Sequence, residues 1–308
     1  NFGGRRRLAS MNSVAMKYGQ ATWVAGDKSF ATGSGDGTVQ VWDAISGKNK
    51  SEPLTGHRLG VSSVAWCKTC SDATIISGSW DGTVRLWNVN NGTEILSRVH
   101  SATGLGEGVL SVDFHPDRDS IFVSGGEDGS VKVWSSATED VVHVMKQHTQ
   151  PVNSVAFSPN GLRIASGSSD EFGKGFVTVW NATSGKCIVL DPQKGGSCQD
   201  QSLSGHEGKV LTVAFSHKGT LILSGSQDMT IRVWDANTGA LALNPIKAHS
   251  DSITSVAFSP DDLHFVSGSM DGDIRVWNTL TGKAVRLPLR GDPRHITSVV
   301  YSPDGKHV

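Results

Sequence analysis

The thiol pair Cys67 and Cys70, in "CKTC", is the first place where this sequence could do chemistry. Two cysteines at that spacing are half of a tetrahedral zinc site, or a redox pair where they open a helix. No helix signal follows them. The other cysteines, Cys187 and Cys198, fall on a different element and in a distant loop, so four ligands cannot converge. No metal is therefore expected, and the scattered cysteines do not read as a disulfide framework. "GSGDGT" and "EFGKGF" are glycine-rich, yet neither precedes a helix as a phosphate-binding loop must. They read as turns, and no cofactor is expected. Asn49, Asn91 and Asn181 begin glycosylation triplets, which carry little meaning without a secretory signal. Histidine, serine and aspartate also recur together, the residue types of an acyl-transfer triad. A nucleophile needs one singular, exposed site, whereas these sets repeat, so no catalytic residue is expected.

The positioning elements come from a repeat. The pattern apolar-x-apolar-Trp-polar appears as "VQVWD", "VRLWN", "VKVWS", "VTVWN", "IRVWD" and "IRVWN". It places Trp42, Trp87, Trp134, Trp180, Trp234 and Trp277 at steps of 43 to 54 residues. A second pattern, "SVAW", "SVDF", "SVAF", "TVAF", "SVAF" and "SVVY", precedes a turn, and a glycine-centred third is exemplified by "SGSWDG" and "SGSMDG". Each unit reads as four short alternating strands, a to d, joined by turn residues. No window has helical periodicity, so the chain is expected to be all-β.

The run "TGH…VSSVAW…IISGSWDGTVRLWN" resembles a WD40 repeat, and five neighbouring runs do too. The resemblance implies a β-propeller of four-stranded antiparallel blades around a channel. A gapless comparison adds Gln20 to Ser34 as strands a and b of blade 1, and "ITSVVYSPDG" as strand a of another blade. Seven blades are expected, the last one incomplete. Residues 14–308 form the propeller, with six full repeats and a partial seventh, and residues 1–13 form an outer strand of the closing blade. Asn1 is not Met, so the chain is expected to be a fragment of a longer protein or a part of a larger complex.

The resemblance also implies a buried network linking the strand-c Trp, a strand-b Ser or Thr, a His before strand a and an Asp at the b–c turn. Carried over, it gives His57, Ser77, Asp81 and Trp87 in blade 2, and His148, Ser166, Asp170 and Trp180 in blade 4. Blade 5 supplies His206, Ser224, Asp228 and Trp234; blade 6 supplies His249, Ser267, Asp271 and Trp277. Blade 1 has Thr32, Asp36 and Trp42 but lacks the His, and Asp292 stands in its place in the seventh unit. His100 lies five residues too early and is expected to stand outside the network.

Loops d–a and b–c share one end of such a ring. The variable slot of the b–c turn holds Gly35, Trp80, Glu127, Ser169, Gln227 and Met270. Trp80 is thus not demanded by the frame: it is either a contact anchor or a side chain resting on a neighbouring loop. Longer loops, "SATGLGEG", "DEFGKG" and "DPQKGGSCQDQ", crowd the same end over blades 3 to 5. Arg58, Leu59, Trp80, Lys209, Met229 and Met270 are the expected contact residues for a protein or peptide partner.

Charge is balanced, 28 Lys+Arg against 29 Asp+Glu, so nothing global steers the chain to nucleic acid or an anionic membrane. No apolar run is long enough for a membrane span and no signal peptide opens the chain, which gives an intracellular expectation, cytoplasmic or nuclear. The function expected is a non-catalytic interaction scaffold or sensor. The regular units are similar to WD40 arrays that follow NACHT-type switches in fungal proteins. The alternatives are a nucleic-acid or ubiquitin-type binder, and then a propeller enzyme.

Overall fold

The computed structural model describes residues 21–23, 29–101, 107–138, 140–190, 202–290 and 295–308. They are all-β. Blade 1 holds β1 (Ala21–Trp23), β2 (Ser29–Gly33) and β3 (Val39–Asp43). Blade 2 holds β4 (Val61–Trp66), β5 (Thr74–Ser79), β6 (Thr83–Asn88) and β7 (Thr93–Val99). Blade 3 holds β8 (Val109–Phe114), β9 (Ile121–Gly126), β10 (Val131–Ser135) and β11 (Val141–Met145). Blade 4 holds β12 (Ser154–Phe157), β13 (Arg163–Ser169), β14 (Gly175–Asn181) and β15 (Leu203–His206). Blade 5 holds β16 (Val210–Phe215), β17 (Leu221–Ser226), β18 (Thr230–Asp235) and β19 (Ile246–Lys247). Blade 6 holds β20 (Ile253–Phe258), β21 (His264–Ser269), β22 (Asp273–Asn278) and β23 (Leu289–Arg290). Each sheet is an antiparallel meander in sequence order. In blade 1 the fourth position is marked only by isolated bridges, Val39 with Leu54 and Trp42 with Asn49.

Burial grades outward within a blade. Strand β5 is buried at every residue because neighbouring blades cover both of its faces, whereas the outer strand β7 is largely exposed. That is why strand b is an apolar-small run, whereas strand d mixes polar residues such as Glu94 and Arg98 with exposed apolar ones such as Val99 and Val142. The strand-b glycines set the spacing between blades. A Cβ on Gly78, Gly125, Gly167 or Gly225 would come within 2.6–2.7 Å of Val109, Val152, Val210 or Ile253 of the next blade.

A second device joins the blades at their innermost strands. The amide of Val112 donates to Ser63 Oγ at 3.1 Å, that of Val155 to Ser111 Oγ at 3.0 Å, and that of Val213 to Ser154 Oγ at 3.0 Å. Val256 donates to Thr212 Oγ1 at 3.3 Å and Val299 to Ser255 Oγ at 3.0 Å. Each hydroxyl takes an amide of the following blade, where strand pairing cannot reach.

The described residues form six blades, not seven with an incomplete last one. Residues 295–308 have no ladder partner among the described residues. They seat against blade 6 as an inner strand does: a Cβ on Gly268 would meet Ile296 at 2.5 Å, Ile296 and Val299 form one cluster with Val266 and Val276, and Tyr301 and Val308 pack on that cluster. A blade needs strands b and c beside such a segment, and the described residues hold none for it. The segment reaches blade 1 instead, where the Ala21 amide donates to Ser298 Oγ at 3.1 Å. The outer strand expected from residues 1–13 lies outside the described residues. No helix among the described residues is long and apolar enough to cross a membrane.

A correction also concerns the cysteines. Cys67 and Cys70 are joined by a disulfide, with their Cα atoms 5.6 Å apart. The a–b turn folds a local pair together, which scatter along the whole chain concealed.

Candidate functional site

The Trp network holds the rim loops in place. Trp87 Nε1 donates to Ser77 Oγ at 2.8 Å. An indole can only donate, so Ser77 gives its own proton to His57 Nε2 at 2.7 Å, and His57 Nδ1–H donates to Asp81 Oδ2 at 3.0 Å. The same carboxylate oxygen accepts the Arg58 amide at 2.9 Å, pinning the d–a loop. Burial pushes the Asp81 carboxyl up, but hydrogen bonds from His57, Thr83 and Arg58 outweigh it and hold the group well below the usual carboxylate range. Blades 5 and 6 repeat the geometry: His206 Nδ1 is 2.8 Å from Asp228 and His249 Nδ1 3.0 Å from Asp271, with the indoles of Trp234 and Trp277 on Ser224 and Ser267. In blade 1, Trp42 Nε1 donates to Thr32 Oγ1 at 2.8 Å and Asp36 accepts from Thr38 at 2.7 Å.

Two blades depart from expectation. His100 belongs to the blade 3 network with its ring reversed, Nδ1 at 2.8 Å from Ser124 Oγ and Nε2 at 3.2 Å from Asp128. Its distance along the chain misled because the surplus residues leave the ring's own seat unchanged; residues 102–106 of that loop lie outside the described residues. In blade 4, His148 Nε2 is 2.7 Å from Ser166 Oγ and Trp180 donates to the same oxygen, but Asp170 does not join them. There the b–c ladder runs on through Ser168–Phe176 and Ser169–Gly175, which lifts the turn. Asp170 instead accepts the Phe172 and Lys174 amides at 2.9 and 2.8 Å. His148 Nδ1 has no hydrogen-bond partner among the described residues, Phe176 stacks on the ring at 5.4 Å, and burial lowers the imidazole pKa to about 4.

The expected contact residues all lie at the d–a and b–c end. Leu59 is 53% exposed, Met229 43% and Met270 40%, and Arg58 and Lys209 are also exposed. Arg58, Leu59 and Trp80 share blade 2, and Lys209 and Met229 share blade 5. Their backbones are fixed: Ser79 Oγ donates to Leu59 O, Gln227 N to Lys209 O, and Met270 N to Ser252 O. Met229 has φ 66°, in the slot where Gly82 and Gly272 carry φ 77° and 82°. Trp80 is half-buried and lies over Gly108 of blade 3, whose added Cβ would meet the indole at 2.9 Å. Sequence reasoning missed Phe172, 83% exposed at the tip of the lengthened blade 4 turn. The signal available was an aromatic residue inside an otherwise polar insertion. The loop at residues 191–201 and Asp292 lie outside the described residues.

Radially stacked antiparallel four-stranded sheets, held by a repeated Trp–Ser–His–Asp network, define a β-propeller. The model of the WD domain, G-beta repeat, matches residues 10–43, 48–88, 97–135, 139–181, 197–235 and 242–278, so the chain belongs to the WD40 family. It is similar to WD repeat-containing protein 1 of Bos taurus, at 24% identity over 216 residues, 69% of this chain and 32% of that protein. It is also similar to Protein FIZZY-RELATED 1 of Arabidopsis thaliana, at 26% over 246 residues, 69% of this chain and 49% of that protein. A guanine nucleotide-binding protein subunit beta of the same plant is 30% identical over 220 residues, 70% of this chain and 52% of that protein. The chain thus spans about a third to a half of the length of these relatives.

Proposed function

We propose that this propeller is a non-catalytic interaction module that docks a protein or peptide on its d–a and b–c face. The observation that carries the reading is apolar exposure on fixed backbone: Leu59, Met229 and Met270 face solvent from loops already ordered by the network. Binding there costs little ordering entropy, and exposed apolar side chains at rigid loop tips are the anchors of interfaces. The names of the relatives, among them a G-protein subunit, support a scaffold role. Residues 14–308 act as one unit in this reading, within a larger assembly inside the cell.

The test is capture of a partner by the protein and two sets of variants. Changing Leu59, Met229 and Met270 to Ser abolishes capture, whereas Leu162→Ser and Leu263→Ser, exposed in a–b turns, leave it intact. Equal loss from both sets ends the reading. Binding to mixed nucleic acid that weakens with salt and is lost on changing Arg58 and Lys209 to Glu would favour the nucleic-acid alternative instead.

A further inference from the structure

One polar side chain breaks the repeat at the centre of the ring. The inner strands place Ala65, Ala156, Ala214 and Ala257 at one position, where β8 carries Asp113. Its Oδ1 accepts the Phe114 amide at 2.9 Å and its Oδ2 the Phe157 amide of blade 4 at 2.8 Å. No Lys, Arg or His side chain among the described residues forms an ion pair with it. Burial raises its pKa to about 6, against the pull of the two amides and of the more distant Lys68. Alanine would fill the position without that cost, so the carboxylate has an unmet need for a counter-charge.

Asp113 opens into a cavity of about 140 Å³ at the a–b end, opposite the face proposed above. Trp66, Phe114, Phe157 and Phe215 line it, with His115 at the wall and Lys68 at the rim. His115 Nδ1 accepts the Asp117 and Arg118 amides, each at 3.1 Å, and burial lowers its pKa, so it brings no charge. His217, also at the wall, is occupied by Asp262 at 3.3 Å. The space is well below the ~300–1,000 Å³ of a drug-sized ligand site and suits one side chain. A half-buried carboxylate facing the cavity among aromatic rings favours a cation, through charge-assisted hydrogen bonds and the ring quadrupoles.

We propose that this cavity binds the cationic side chain, guanidinium or ammonium, of a basic peptide, with Asp113 as its counter-ion and Lys68 as a competing charge. The inference concerns a different face and does not depend on the rim reading.

The probes are acetyl-arginine methylamide, acetyl-lysine methylamide and the uncharged acetyl-citrulline methylamide, titrated while the amide resonances of Phe114 and Phe157 are followed. The charged probe shifts both resonances, and which of the two binds identifies the cation. Citrulline binds at least about tenfold more weakly. Lys68→Met strengthens binding, Asp113→Asn weakens it about tenfold or more, and wild-type affinity falls as the pH drops below about 6. Citrulline binding as well as arginine and lysine, or an unchanged affinity in Asp113→Asn, overturns the proposal. Should Asp113→Asn not fold, the pH profile of the wild type and the sign of the Lys68→Met effect decide: a flat profile or weakened binding overturns it.

Discussion

The Ala21 amide donates to Ser298 Oγ at 3.1 Å across 277 residues of sequence. It is the same bond that Val112 makes to Ser63 within the ring, and it links the segment after blade 6 to blade 1. Ser298→Ala is expected to cost about 1 kcal/mol, the net worth of a neutral hydrogen bond. Urea denaturation checks it: the midpoint falls while the slope is retained. A Ser298→Ala protein with an unchanged midpoint would show that this bond contributes nothing.

Trp87 and Asp81 should be costly to lose, and Asp170 cheap. Trp87→Ala opens a cavity and strands Ser77, at about 3–5 kcal/mol. Asp81→Asn weakens acceptors for His57 and Arg58 at once, on the order of 1–3 kcal/mol. Asp170→Asn changes only a surface turn and stays within about 0.5 kcal/mol. Equal losses for Asp81→Asn and Asp170→Asn would contradict the separation of Asp170 from His148.

Met229 sits at φ 66°, where a side chain on an L-residue costs about 1–2 kcal/mol. Met229→Gly is therefore expected to raise the thermal midpoint while weakening partner capture. A stabilised variant with full capture would remove Met229 from the interface but leave the strain argument standing.

Acid acts on Asp113 and His148 in opposite directions. Burial lowers the His148 pKa from 6.5 to about 4, so the unfolded chain binds the proton first. Stability from this group is lost as pH falls from about 6.5 to about 4. The Asp113 pKa rises from 3.8 to about 6, so the folded chain binds the proton first, and its contribution grows as pH falls from about 6 to about 4. Asp113→Asn should then stabilise the protein more at pH ~8 than at pH ~5, by on the order of 1–2 kcal/mol. Urea midpoints across that range test it; a pH-independent difference would mean that Asp113 keeps an ordinary pKa.

The framework was legible because its chemistry is local and repeated. An indole that must bury its N–H demands a hydroxyl ten residues earlier, as Trp87 and Ser77 show, and spacing exposes such pairs. Ser63 and Ser111 escaped notice since their amide partners lie in the next blade, 49 and 44 residues away. His100 and Asp170 were misplaced for one reason: residue counts measure loop length, not where a turn leaves its ring. Asp113 drew no attention in the sequence, because its partner Phe157 is 44 residues away and is set beside it only by the fold. The blade count erred because residues 295–308 carry the sequence of an inner strand, yet the described residues offer it no strand to pair with.

Blade 4 has an aromatic ring where its neighbours place a carboxylate against the histidine, as the stacking of Phe176 on His148 shows. A wheel gives way at its weakest spoke. On warming, β13 and β14 should exchange their amide hydrogens before the matching strands of blades 2, 5 and 6, so that the molecule opens from one sector rather than evenly around its circumference.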